Sequence, residues 1–308
     1  MIRRSTAAAA LAASALAVTL FNAPAHAAPV DDTGSTGCFE PASVGAGART
    51  ADGSHGRDTR AVTRQQQKAI ERRMDTILSR SGHPSRAAAV INVPVYVHVM
   101  RAADGTGNAT KAQIQQQVAV LNATYGGDES PEAADTGFTF TLQGVDRFKN
   151  DLWHVDRHSK EYRRQTRQGG AEALNIWLVD FDLLGIATFP WDYAGHAHID
   201  GIRVNVGSLP GGPIANFNLG ETATHEAGHW FGLYHTFQGG CTPTNDLVAD
   251  TAAQSSPSSG CPVGRDSCVL PDLDPIHNYM DYSFDSCYDQ FTAGQNTRMH
   301  DAFAAFRA

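Results

Sequence analysis

Apolar residues divide the chain into elements by their spacing. In VINVPVYVHVM (90–100), Ile91, Val93, Val95, Val97 and Val99 take alternate positions, which predicts a strand with one face on a core. Ile114, Val118, Leu121 and Tyr125 recur at helical spacing, so 111–125 predicts a helix. Four further strands are predicted at 138–145 (FTFTLQGV), 174–181 (LNIWLVDF), 185–189 (GIATF) and 202–206 (IRVNV). Upstream, Ile70, Met74, Ile77 and Leu78 in TRQQQKAIERRMDTILSRSG (63–82) mark another helix, closed by Gly82 and Pro84. Beyond the histidine-rich stretch at 221–237 the chain is turn-rich and has no long periodic segment, so a loop-rich lower half is expected. No internal repeat is apparent.

The N-terminus changes this picture. MIRRSTAAAALAASALAVTLFNAPAHA has a basic start, a short apolar run and a small-residue exit at Ala25-His26-Ala27. That is the layout of a secretory signal peptide, 1–27, cleaved after Ala27. The apolar run from Ala7 to Phe21 is shorter than the roughly 20 residues a membrane span needs, and no later stretch comes close. Residues 28 to about 60 are rich in Gly, Ala, Ser, Thr and Asp, so 28–86 reads as a pro-segment that ends in the first helix, with Arg80 and Arg86 as places to cut. The body of the protein is then 87–308. With 42% apolar residues, the chain has ample material for a core.

Charge narrows the possible partners. The formal net charge is −8, and residues 1–86 hold 11 Lys+Arg against 7 Asp+Glu, which leaves 13 against 25 in the body. So acidic a body has little attraction for nucleic acid or an anionic membrane, and it would tolerate cationic substrates and bound Ca²⁺. Four of the five cysteines, Cys241, Cys261, Cys268 and Cys287, cluster in the last third, as structural disulfides of an exported protein do; three pairings are possible. Cys38 is left without a partner in the segment expected to be removed. Its thiolate could occupy a metal's open position and keep a precursor inactive, or it could be an incidental or intermolecular cysteine.

The chemistry centres on ETATHEAGHWFGLYHTF (221–237). Asn218 and Glu221 have the spacing of a helix N-cap and its reciprocal partner, so a helix is expected from about Leu219. His225 and His229 are then one turn apart on one face and can bind one ion together. Gly232 allows the helix to stop and turn sharply, which returns His235 as a third ligand. Three imidazoles on Zn²⁺ leave a fourth position for water, the arrangement of a catalytic zinc. Such a water has its pKa lowered to about 7. Glu226, beside the first ligand, would take its proton and pass it to a leaving amine. Five fixed positions match by chance about 10⁻⁴ times in a chain of this length.

HEAGHWFGLYH fits the HExxHxxGxxH signature of the metzincin metalloproteases, and NYMDY supplies the methionine turn at Met280. With LLGIATFP before the helix, GGC after it and NYMDYSFDSC containing Cys287, the chain resembles the pappalysin family and its bacterial, ulilysin-like members over roughly 90–308. The resemblance implies an α+β, metzincin-like catalytic domain, with a five-stranded twisted mixed sheet, an active-site helix and an irregular disulfide-bonded C-terminal subdomain. It implies a secreted zinc endopeptidase, made as a latent precursor, that acts on protein or peptide substrates; the chain is expected to be a monomer. The edge strand near Gly185–Phe189 would hold the substrate backbone. Tyr282 would stabilise the oxyanion, unless it is a core residue of the turn. The pairings implied are Cys241–Cys268 and Cys261–Cys287. NDLVADTAAQ resembles a calcium-binding loop, with Asp246, Asp250 and Thr251 as ligands, although Ala252 stands where the family usually has proline. Asp285 either provides a counter-charge for a basic residue after the cut or is a capped surface aspartate. His196, His198 and His277 are expected to be hydrogen-bonded or exposed.

Two rival readings remain open at this level: a zinc amidase or deacetylase acting on non-protein substrates, and a zinc-stabilised binding module. The edge strand favours peptides over sugars.

Overall fold

The structure, a computed structural model, describes residues 62–81 and 90–308. All of these belong to one compact unit, Pro41–Ala308; the other unit, Met1–Glu40, lies outside the described residues, and so do the expected signal peptide and Cys38.

Helix α1 (Arg64–Ser81) precedes strand β1 (Ile91–Arg101), helix α2 (Lys111–Gly126) and strand β2 (Phe138–Lys149). Thr110 and Gln113 form a capping box at the start of α2, and Gly127 in the left-handed region closes its end. Two short helices follow, α3 (Asp151–His154) and α4 (Ser159–Thr166), and then strands β3 (Leu174–Val179) and β4 (Gly185–Ala187). A single helical turn, α5 (Tyr193–His196), leads to strand β5 (Ile202–Asn205). The chain ends with helix α6 (Glu221–Trp230), a long irregular segment and helix α7 (Ala293–Phe306).

The five strands make one mixed sheet in the order β2-β1-β3-β5-β4. Only β4 runs antiparallel, pairing Gly185 with Val204 and Ala187 with Ile202 on the sheet edge. The expected α+β architecture is therefore present. One face of the sheet packs Val93, Val95, Val97 and Val99 against residues of α2, α6 and α7. Opposite, Met100 and Trp177 meet Tyr162 of α4. Coverage on both faces explains why β3 is buried along its whole length and reads as a continuous apolar run.

Several elements depart from expectation. Helices α3 and α4 occupy a stretch for which no element was predicted, and α7 occupies the lower half expected to be loops. Helix α6 starts at Glu221 and not near Leu219: Gly220, at φ 107°, is the residue before it. The Asn218 amide donates instead to Gly212 O at 2.7 Å, and Asp285 Oδ2 accepts the Leu219 N–H at 2.9 Å.

Candidate active site

Helix α6 is buried along its whole length and carries His225, Glu226 and His229. Gly232, at φ 100°, turns the chain out of the helix, and a Cβ there would lie 2.9 Å from the Ala302 side chain. This turn brings His235 back. Nε2 of His235 lies 3.0 Å from Nε2 of His229 and 3.3 Å from Nε2 of His225, with all three histidines buried.

The other ring nitrogens of His225 and His229 are already committed. His225 Nδ1 donates to Tyr279 O at 2.6 Å, and His229 Nδ1 donates to Leu233 O at 2.9 Å. A carbonyl only accepts, so both rings carry their proton on Nδ1 and turn the Nε2 lone pair inward. Zinc bonds of about 2.0–2.1 Å in a tetrahedron place ligand nitrogens roughly 3.3 Å apart. The donor set fits zinc in type, protonation and spacing.

Surrounding residues fix this geometry. Met280 is buried beneath α6, and a Cβ on Gly228 would come within 2.4 Å of its sulfur, so the glycine inside HEAGH is what admits the methionine turn. Phe237 stacks on His235 at 4.8 Å, and Tyr282 lies edge-on to the same ring at 4.9 Å. Phe189 stands edge-on to His229 at 5.6 Å. The buried Glu226 side chain lies against β4: a Cβ on Gly185 would be 2.4 Å from its Cγ and 2.5 Å from its Oε1. The sheet edge and the carboxylate are therefore neighbours. A cavity of about 700 Å³ lies elsewhere, at the carboxyl ends of β1, β3 and β5 beside His154, Asp180 and Asp182, and none of the four site residues lines it.

The remaining candidates fall into three groups. Cys241 bonds to Cys268 and Cys261 to Cys287, which ties down the irregular segment below the site. Asp285 is buried, not on the surface, and holds the entry to α6. Asp246 is buried with one oxygen on the Val248 N–H; burial pushes its carboxyl up to about 8, offset in part by that N–H and by Arg298. Thr251 is buried nearby in the loop, whereas Asp250 accepts from the Thr292 hydroxyl and the Gly294 N–H and so caps α7. His196 and His198 are exposed, and His277 Nδ1 donates to Cys287 O at 2.5 Å. His277 also lies near Cys261 and Cys287, but their sulfurs are joined to each other and offer no thiolate.

Sequence reading missed the Tyr279 and Leu233 carbonyls and the space made by Gly185 and Gly228. It also missed Glu129, whose carboxylate accepts from the Tyr279 hydroxyl at 2.6 Å and so anchors the residue behind His225. Of these, only Gly228 had a local signal, its place within HEAGH.

Fold and site together define a metzincin-like metalloprotease. The profile of the M43 peptidase family, described as pregnancy-associated plasma protein-A, matches residues 184–304. An extracellular metalloprotease of Sordaria macrospora is 48% identical over 230 residues, covering 72% of this chain and 78% of the relative. One from Verticillium alfalfae is 40% identical over 301 residues, or 94% of this chain and 99% of the relative. Among solved structures, a promirolysin variant of Tannerella forsythia superposes with a TM-score of 0.67 at 25% identity, covering 80% of this chain and 94% of that one. Mature mirolysin of the same organism, in complex with a cleaved peptide, gives 0.61 at 29% identity, covering 68% and 90%. The chain belongs to the pappalysin family of zinc metalloendopeptidases. It is a secreted, extracellular enzyme, and no helix among the described residues is long and apolar enough to cross a membrane.

Proposed function

We propose that this protease cleaves internal peptide bonds with His225, His229 and His235 as the metal ligands and Glu226 as the residue that moves the proton. The three imidazoles would hold a zinc ion, which would supply a Lewis acid for the scissile carbonyl and bring the pKa of a water down to about 7. Glu226 takes one proton from the attacking water and delivers it to the amine nitrogen as the C–N bond breaks. Tyr282 donates its phenol to the developing oxyanion, which favours the transition state over the ground state. The substrate backbone adds to β4 as an extended strand, which brings the scissile bond beside Glu226. Asp285 gives the pocket after the cut a preference for a basic residue.

The observation that carries this reading is the convergence of three Nε2 atoms, with the Nδ1 atoms of His225 and His229 held by carbonyls and the Glu226 side chain against the sheet edge. An amidase acting on sugars has no use for an edge strand in that position. The test is Glu226→Gln, which keeps the shape and removes the base. We expect at least about a 10²-fold loss of kcat/KM with one zinc per chain retained. Wild-type turnover in the purified, zinc-loaded variant rejects the mechanism.

The enzyme is made as a latent precursor, with the Cys38 thiolate proposed to block the metal site. A calcium ion held by Asp246 and neighbouring loop oxygens is proposed to brace the irregular segment; the buried Asp246 carboxyl supports it. Asp250 is turned to α7 and enters that shell only by leaving Thr292 and Gly294.

A further inference from the structure

Helix α1 was assigned by its sequence to the part of the precursor that is cut away, yet its contacts are those of a structural member of the enzyme. Val62 and Met74 are buried, and Ile70 packs with Val62 on the cluster of Phe189, Trp191 and Tyr234. Phe189 of that cluster is the ring that stands on His229. Arg73 donates to Trp191 O at 3.3 Å and Arg64 to Gly239 O at 3.1 Å, while Gln238 Nε2 donates back to Val62 O at 3.3 Å. None of these contacts covers the three histidines from the substrate side. They lie along the path from β4 through the Gly232 turn to the loop after His235.

The strongest contact is a fork. Glu71 accepts two bonds from Arg298 of α7, at 2.8 and 3.0 Å, and the pair is largely enclosed. Burial opposes the charge on Arg298, but Glu71 outweighs it and raises the guanidinium above its ordinary value. Arg298 has a further donor, Nε, which meets Gly232 O at 3.0 Å, and its guanidinium lies 4.9 Å over the Tyr234 ring. Gly232 is the residue whose left-handed turn returns His235, and the next carbonyl, Leu233 O, holds His229 Nδ1. Glu71, Arg298 and the Gly232 carbonyl therefore form one chain of hydrogen bonds that ends at the turn between two metal ligands.

We infer that α1 is retained in the working enzyme, with the maturation cut upstream of Val62, and that Glu71 acts through Arg298 as a positioning residue for the turn that carries His235. The boundary this gives replaces the one expected after residue 86. Arg49, Arg57 and Arg60 offer basic sites upstream, whereas a cut at Arg80 or Arg86 would free α1 from the chain it braces. The positioning role rests on the proposed zinc site, but the retention of α1 does not.

The test has two independent arms. N-terminal sequencing and intact mass of the active enzyme from culture medium should give a chain that begins at or before Val62. A chain that begins after Ser81, whether or not the helix copurifies, overturns retention. In the second arm, wild-type zinc content is measured first, and a value near one per chain secures the site on which the role rests; zinc-free wild type removes that site and the positioning role with it. Glu71→Ala should then release zinc to a competing chelator with about 10-fold weaker apparent affinity, the lower end for loss of an outer partner of a ligand set. The absorption spectrum of the cobalt-substituted protein should shift with it. Arg64→Ala removes an anchor of α1 that does not lead to Gly232, so it should lower the melting temperature and leave zinc affinity unchanged. Glu71→Gln, which keeps one acceptor, should fall between wild type and Glu71→Ala and serves if the alanine variant does not fold. Zinc affinity unaltered in a folded Glu71 variant rejects the positioning role.

Discussion

Gly185→Ala perturbs the proposed base, Glu226, without touching the proposed metal ligands. The added methyl would sit 2.4 Å from Glu226 Cγ and 2.5 Å from Oε1. Carbon atoms pack at roughly 3.5–4.0 Å, so Glu226 must withdraw by more than about 1 Å or change rotamer. A misplacement of about 1 Å costs on the order of 10²-fold in rate, equivalent to roughly 2.7 kcal/mol of barrier. Gly185 is not among the glycines with positive φ, so alanine suits the backbone, and the strain falls on the carboxylate. The assay is kcat/KM on an internally quenched peptide, with zinc content measured in the same preparation. We expect about 10²-fold lower kcat/KM and unchanged zinc. The same substitution added to Glu226→Gln should cause little further loss, because the two changes act on one group. A variant that keeps its zinc and turns over within about twofold of wild type refutes the placement of the base against β4.

Three other outcomes follow from separate parts of the molecule. Asp200→Ala strips the carboxylate from a buried cluster in which Asp200 accepts from both Arg307 terminal nitrogens and from Trp230 Nε1, and should cost about 3–5 kcal/mol in a urea titration. Removing calcium with a calcium-selective chelator should lower the melting temperature while zinc content stays constant, and Asp246→Asn should abolish that shift. Cys38→Ser precursor should mature faster and show early activity; an unchanged lag rules out a cysteine block.

How much of this could be read from the chain depended on how far apart the interacting residues lie. The proposed ligands and base sit within one helix and one turn, so HEAGHWFGLYH places the candidates side by side. Strands β1 and β3 were legible because alternation or a continuous apolar run reports burial. Helices α3 and α4 were not, since α3 is a single turn and Tyr162 is an isolated apolar position among polar and charged residues. Helix α7 did leave a signal: Met299, Ala302, Phe303 and Phe306 have helical spacing behind the Thr292–Gln295 capping box. The cysteine-rich, turn-rich sequence before it obscured that period. What supports the site came from afar. Tyr279 O reaches His225 across 54 residues, and Glu71 reaches Arg298 across 227. No local pattern encodes such pairs, nor the reach of Asp285 to the Leu219 N–H across 66 residues.

Diffraction data collected on either side of the zinc absorption edge test the central claim most directly. The account predicts one strong anomalous difference peak per chain, about 2.0–2.1 Å from Nε2 of His225, His229 and His235, with the Glu226 carboxylate outside bonding distance. An absence of zinc between the three imidazoles in the active protein, or a peak bonded to Glu226 in place of His235, would contradict it.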